Sequence, residues 1–200
     1  MNCKARIVLV LSLFVLTRAL TAGESLTTER PKGQPSEAEL RMSISVAIPK
    51  EAKGATRFRV TIENTGAQDV ILNLGTMLAN GKVHLPEAIH LILIDSTGQM
   101  RVLHFSDRRF PVSPGRVDDY SVPLRVGSVY TVALNLNDYW CPETKEFNLK
   151  LAPGEYRVRA ELTGQGAQHV NLDTEGVRLL NFWKGNLESD SAQFRIGERG

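Results

Sequence analysis

Cysteine is nearly missing: the 200 residues contain two, Cys3 and Cys141. A disulfide framework is therefore excluded as the source of stability. N-linked glycosylation has no acceptor, because no Asn-x-Ser/Thr triplet occurs. A Gly-x-Ser-x-Gly elbow, a glycine-rich phosphate loop and a calcium-loop run of acids are all lacking, so no sequence-local catalytic constellation is present. Long apolar runs are lacking too. The one continuous stretch, Ile7 to Leu16, is well short of the roughly 20 residues that span a bilayer.

That stretch is informative in another way. Lys4 and Arg6 precede it, and Ala19, Thr21, Ala22 and Gly23 follow it, which is the layout of a secretory signal peptide. We expect residues 1–22 to be a leader cleaved between 19 and 23, giving a secreted or periplasmic protein without a stable membrane span. Removing Lys4, Arg6 and Arg18 lowers the basic count from 24 to 21, against 22 acids. A near-neutral chain with interspersed signs gives no electrostatic case for nucleic acid or an anionic membrane. Cys141 then remains as the lone thiol. An intrachain disulfide is ruled out, and an exposed Cys141 would favour a disulfide-linked homodimer.

Residues 23–39 are polar, carry Pro31 and Pro35, and read as a disordered linker. From residue 40 to 198 the pattern is that of one β domain. Leu40, Met42, Ile44, Val46 and Ile48 alternate with polar or small residues, as do Phe58, Val60 and Ile62. Val70–Leu72, the apolar run Ala88–Asp95, Met100–Phe105, Asp119–Leu124 and Ser128–Leu136 supply further strands. Pro153-Gly154 opens the cleanest one, with Tyr156, Val158, Ala160 and Leu162 on one side. Phe182-Trp183 to Ile196 reads as the closing strands, with Trp183 in the core. Sustained helical periodicity is missing, so the expected class is all-β: an antiparallel sandwich with long loops at Gly75–Glu87, Ser106–Asp118, Asn137–Asn148 and Gly164–Gly176.

The segment Leu151-Ala152-Pro153-Gly154-Glu155-Tyr156 resembles the start of strand F in immunoglobulin-like and fibronectin-type-III-like domains. There, a tyrosine hydroxyl bonds back to the backbone, the tyrosine corner. Phe58–Gly66 resembles their B strand and following turn, and Phe182–Ile196 their last hairpin. The resemblance implies a bacterial secreted sandwich, with Tyr156 structural and with Val60 and Val158 where antibody-type domains carry a disulfide. It implies no activity. A weaker similarity to small bacterial proteinase-inhibitor sandwiches rests on the Asn-Thr-Gly turn and the Gly-x-Tyr strand.

Candidate contacts follow from side-chain chemistry. Tyr139, Trp140 and Cys141 occupy a loop broken by Pro142; Tyr and Trp suit interfaces and sugar stacking. The competing reading folds Trp140 back as a core cap with Cys141 as a small buried hydrophobe. Arg108, Arg109 and Phe110 form a second candidate contact. Pairing Asp95 with Met100 across the Ser96-Thr97-Gly98 turn sets His90 opposite Phe105 and His104 opposite Leu91. The two imidazoles then point to different faces, and no metal or other cofactor is expected. The function expected is a non-catalytic binding module for an extracytoplasmic protein or glycan. A proteinase inhibitor, or an enzyme whose site forms only on folding, are the alternatives.

Overall fold

The computed structural model describes residues 39–47, 56–106, 115–147, 149–170 and 172–197. The expected leader, all but the last residue of the expected linker, and Arg108, Arg109 and Phe110 lie outside them. Alternation of apolar and polar residues becomes alternation of burial. In β1 (Leu40–Ala47) and β2 (Arg57–Asn64), Met42, Phe58, Val60 and Ile62 are buried while Arg41, Arg57 and Arg59 are exposed. There follow β3 (Val70–Leu78), β4 (Val83–Leu85), β5 (Ile89–Asp95), β6 (Met100–Phe105), β7 (Asp118–Leu124) and β8 (Val129–Asn135). The order ends with β9 (Tyr139–Cys141), β10 (Glu146–Phe147), β11 (Gly154–Gly164), β12 (Gly185–Glu188) and β13 (Ala192–Ile196). Short 3-10 helices occupy Leu136–Asp138 and Leu172–Leu179.

The strands form antiparallel sheets. One orders β1-β2-β8, a second β4-β3-β7, and a seven-stranded third β10-β9-β6-β5-β11-β12, with β13 also on β11. β1 lies against β11, β12 and β13, and one hydrophobic cluster draws side chains from all three sheets. The all-β sandwich expected from the sequence is what forms. Val60 and Val158, both essentially unexposed, sit in that cluster. Each fully buried side chain of this size contributes roughly 1.5–3 kcal/mol. Trp183 is partly buried against the same cluster.

Polar groups inside are satisfied locally. Asn64, at the turn after β2, is unexposed. Its Nδ2 donates to the carbonyls of Gln68 (2.8 Å) and Leu124 (3.0 Å), and its Oδ1 accepts from Gly66 N. Tyr156 donates its hydroxyl to the Ala152 carbonyl at 2.9 Å.

Three loop assignments change. The segment Gly75–Glu87 is largely strand: β3 continues to Leu78 and turns into β4, because Gly75 bends β3 instead of ending it. Its φ is +137°, Asn73 Oδ1 accepts its N–H at 3.1 Å, and the β3–β7 register slips between Asn73 and Thr76. Asn137–Asn148 contains β9 and β10, and Leu172–Leu179 is helical although the sequence shows no helical period. The closing strands are not a hairpin either. β12 and β13 run in line along β11. At the break, Ser189 N donates to Ala160 O (3.0 Å) and Ala160 N donates to Ser189 Oγ (2.9 Å), so a hydroxyl replaces a ladder carbonyl.

A Cβ on Gly75 would lie 2.3 Å from the Leu85 carbonyl oxygen, whereas one on Gly81 (φ +78°) would meet nothing within 4 Å. Gly75→Ala is therefore expected to cost about 3 kcal/mol or more, from strain plus backbone collision, and Gly81→Ala about 1 kcal/mol from strain alone. Denaturant melts of the two variants measure this; equal losses would contradict the packing assigned to Gly75.

Candidate binding face

In β5 the alternate residues Ile89, Leu91 and Leu93 are unexposed and face the core. By alternation His90, Ile92 and Ile94 project from the other face of the seven-stranded sheet, where His90 and Ile94 are half-buried and Ile92 is buried. The registers place a row of side chains across that face. Glu188 stands opposite Glu161, and Glu161 opposite His90. Leu91 pairs with Leu103, so His90 meets His104; His104 pairs with Trp140, and Trp140 with Phe147. The rings confirm the row: His90 and His104 centroids are 4.5 Å apart, and those of Trp140 and Phe147 are 6.1 Å apart. Beside this row lie Ile92 with Val102 and Ile94 with Met100, the last 56% exposed.

The histidine pair corrects the sequence expectation that the two imidazoles face apart. The β5–β6 loop has three residues, Ser96-Thr97-Gly98. Gly98 takes φ +85°, its N–H donates to Asp95 O at 3.0 Å, and Asp95 N donates to Gln99 O at 3.1 Å. A turn closed by a left-handed glycine is the common three-residue hairpin loop. Asp95 thus pairs with Gln99 instead of Met100. That one-residue shift exchanges the faces of every side chain on the partner strand. The Asp95 carboxylate holds the loop: Oδ1 accepts from Thr97 Oγ1 (2.6 Å), Thr97 N (3.0 Å) and Gln99 N (3.0 Å). The Thr97 hydroxyl bond is the main reason its carboxyl is held below the ordinary range.

The expected Tyr139–Cys141 contact loop separates by side. Being consecutive residues of a strand, Tyr139 and Cys141 turn inward while Trp140 turns outward. Tyr139 is 1% exposed, donates to Ile89 O at 3.2 Å, and packs edge-on against Phe105. It is a core residue and not a contact, and its burial pushes its hydroxyl far above the usual phenol range. Cys141 is unexposed and directs Sγ at Glu143 Oε2, 3.1 Å away. A buried thiol cannot serve the intermolecular disulfide expected of an exposed one. Glu143 in turn is held below its usual value by its own backbone N–H, then by the Cys141 thiol, with His104 adding a smaller effect.

Charge borders the row on its β11 side. Arg159 Nη2 donates to Glu161 Oε1 at 2.9 Å, and its Nη1 lies 3.5 Å from Glu188 Oε2. Burial lowers the His90 pKa below 6.5, His104 lowers it further, and Glu161 opposes both.

Among the described residues, two concavities stand out, the first sharing Ile94 and Arg157 with this face. One of about 700 Å³ is lined by Asp95, Thr97, Tyr156, Arg157, Gln193 and Arg195. The other, about 440 Å³, is lined by Lys82, His84, Phe105, Tyr120, Tyr130 and Asp138. In the second, His84 stacks on Tyr120 with centroids 4.6 Å apart, and the Tyr120 and Tyr130 hydroxyls are hydrogen-bonded. The buried Asp119 carboxylate accepts Gln168 N (2.9 Å) and His169 N (3.1 Å), with His169 Nδ1 at 3.2 Å. That carboxylate anchors the segment after β11. Among the described residues no group of three or more His, Cys, Asp or Glu is placed to hold a metal ion. Among them, too, no helix is long and apolar enough to cross a membrane.

Two outcomes are expected. A thiol reagent, followed by peptide mapping, modifies Cys141 only after unfolding; rapid modification of the native protein would contradict its burial. Because His90 binds its proton less readily when folded, the unfolded chain holds more protons as pH drops below 6.5. Its contribution is complete above that value and is lost as pH falls through the lower folded value. The melting temperature should therefore fall between about pH 7 and 5, less steeply in His90→Gln. Identical pH profiles would contradict this.

No protein-family model matches the chain, and no curated protein matches it. Among solved structures it is similar to the β-glucosidase DesR from Streptomyces venezuelae (TM-score 0.34, 13% identity), covering 80% of this chain and 15% of the enzyme. It is similar to the structural-genomics target SoR45 (TM-score 0.33, 13% identity), covering 80% of this chain and 87% of that one. The β-glucosidase D2-BGL from Chaetomella raphigera has a TM-score of 0.30 at 12% identity, with 76% of this chain and 19% of that enzyme covered. The chain thus spans less than a fifth of either glucosidase. Likeness at this level carries no activity over to this chain.

Proposed function

We propose that this chain is an exported, non-catalytic interaction module on an immunoglobulin-like sandwich, which binds a partner protein through the outer face of its seven-stranded sheet. One observation carries the reading: the side of β5, β6 and β9 facing away from the core bears His90, His104, Trp140, Ile94 and Met100 where a solvated sheet alternates to polar residues. Aromatic residues, Met and Arg are the types enriched where proteins meet, and a charged rim suits them. Here Arg157, Arg159, Glu161 and Glu188 form that rim on β11 and β12. The Tyr156-to-Ala152 bond supports the immunoglobulin-like assignment. The Lys4–Gly23 layout supports export.

The test is a cross-linked pull-down with the exported form, repeated with Trp140→Ala and Met100→Glu. Met100 is more than half exposed, so its substitution leaves the core intact. Capture of a protein that either substitution weakens about fivefold or more supports the reading, since an interface anchor contributes upwards of about 1 kcal/mol. Recovery of a glycan instead, of nothing, or of a partner indifferent to both substitutions contradicts it.

A further inference from the structure

We infer that the His90–His104 pair is a cross-strand chelate for a divalent transition-metal ion, with Cu(II) the preferred occupant. The two imidazoles project from the same face of neighbouring strands, opposite each other in register. Their centroids are 4.5 Å apart and their planes inclined at 60°. An imidazole nitrogen binds such an ion at about 2.0–2.1 Å, and the ring adds about 1.1 Å from nitrogen to centroid. Each centroid then stands about 3.2 Å from the metal, so two ligands at right angles place their centroids about 4.5 Å apart. Ligands at the tetrahedral angle place them about 5.2 Å apart.

The observed spacing equals that of two cis positions in a tetragonal site, the geometry of Cu(II) or Ni(II), once a nitrogen of each ring turns to a common point. Cu(II) also binds nitrogen ligands more strongly than the other first-row divalent ions. Two imidazoles fill two equatorial positions and leave the others to solvent or to a donor from a partner. A carboxylate adjoins the pair, since Glu161 stands opposite His90 in register. Arg159 engages Glu161 and moderates that field without reaching a ligand position. The other pairing, His90 opposite Phe105, would have put the rings on opposite faces. The chelate is thus a consequence of the three-residue β5–β6 loop.

Titration of the full chain with Cu(II) alone tests this, followed by calorimetry and by electron paramagnetic resonance. One ion per chain is expected at this pair, with two nitrogen ligands in the spectrum. His90→Gln and His104→Gln should each weaken binding by at least about tenfold, the loss that follows even from disturbing an outer partner of a ligand. Cu(II) should raise the melting temperature of the native protein but not of either variant. Diethyl pyrocarbonate mapping of the native protein keeps the test independent of how the variants fold: Cu(II) should protect His90 and His104 together. Binding unchanged in both variants, or modification of the two histidines undiminished by Cu(II), overturns the chelate.

Discussion

The carboxylate of Asp95 accepts three hydrogen bonds from the two residues Thr97 and Gln99, and much of the outer face depends on that small closure. It fixes a three-residue loop that Gly98 can complete only at positive φ. A strand has a side-chain period of two, so one residue more in the loop would have turned β6 over. Leu103, now unexposed in the core, would then have faced solvent, and the row His90–His104–Trp140 would not exist. Burial of Leu103 and the Asp95 turn favour the same register, which is the mutual consistency expected of a sequence that specifies one fold.

From this register the rest of the face follows. β9 joins β6 through His104 and Phe105, so Trp140 inherits the outward side and Tyr139 the inward one. Tyr139 then closes the core against Phe105 and reaches the Ile89 carbonyl, tying β9 back to the start of β5. On the far side, β11 carries its alternating charges outward, and Arg159 gathers Glu161 and Glu188 into a short ion-pair chain. Such partly exposed pairs contribute little stability, up to about 1 kcal/mol. Their effect here is to border an otherwise apolar and aromatic strip.

Class and strand placement were legible from the residues because period-two alternation reports burial directly. β2 and β11 read correctly from Phe58-Val60-Ile62 and Tyr156-Val158-Ala160-Leu162. What escaped depended on single residues whose effect is conformational. Gly75 reads as a strand end, yet its close approach to the Leu85 carbonyl makes it a bend within β3. Phe182–Ile196 reads as a hairpin, yet the Ser189 hydroxyl carries the ladder across from β12 to β13. The histidine pair depends on a loop one residue shorter than the pairing of Asp95 with Met100 implies. The signal was present, since a glycine at the third loop position favours this turn. Trp140 was singled out from composition alone; which way it points could come only from the strand on which it sits.

The β5–β6 register organises the outer face, and nuclear Overhauser contacts between backbone protons of the two strands measure it most directly. Cross-strand contacts linking residues 90 with 104 and 92 with 102 are expected. Contacts linking 90 with 105 and 91 with 104 instead would contradict it, and would remove the shared histidine face with it.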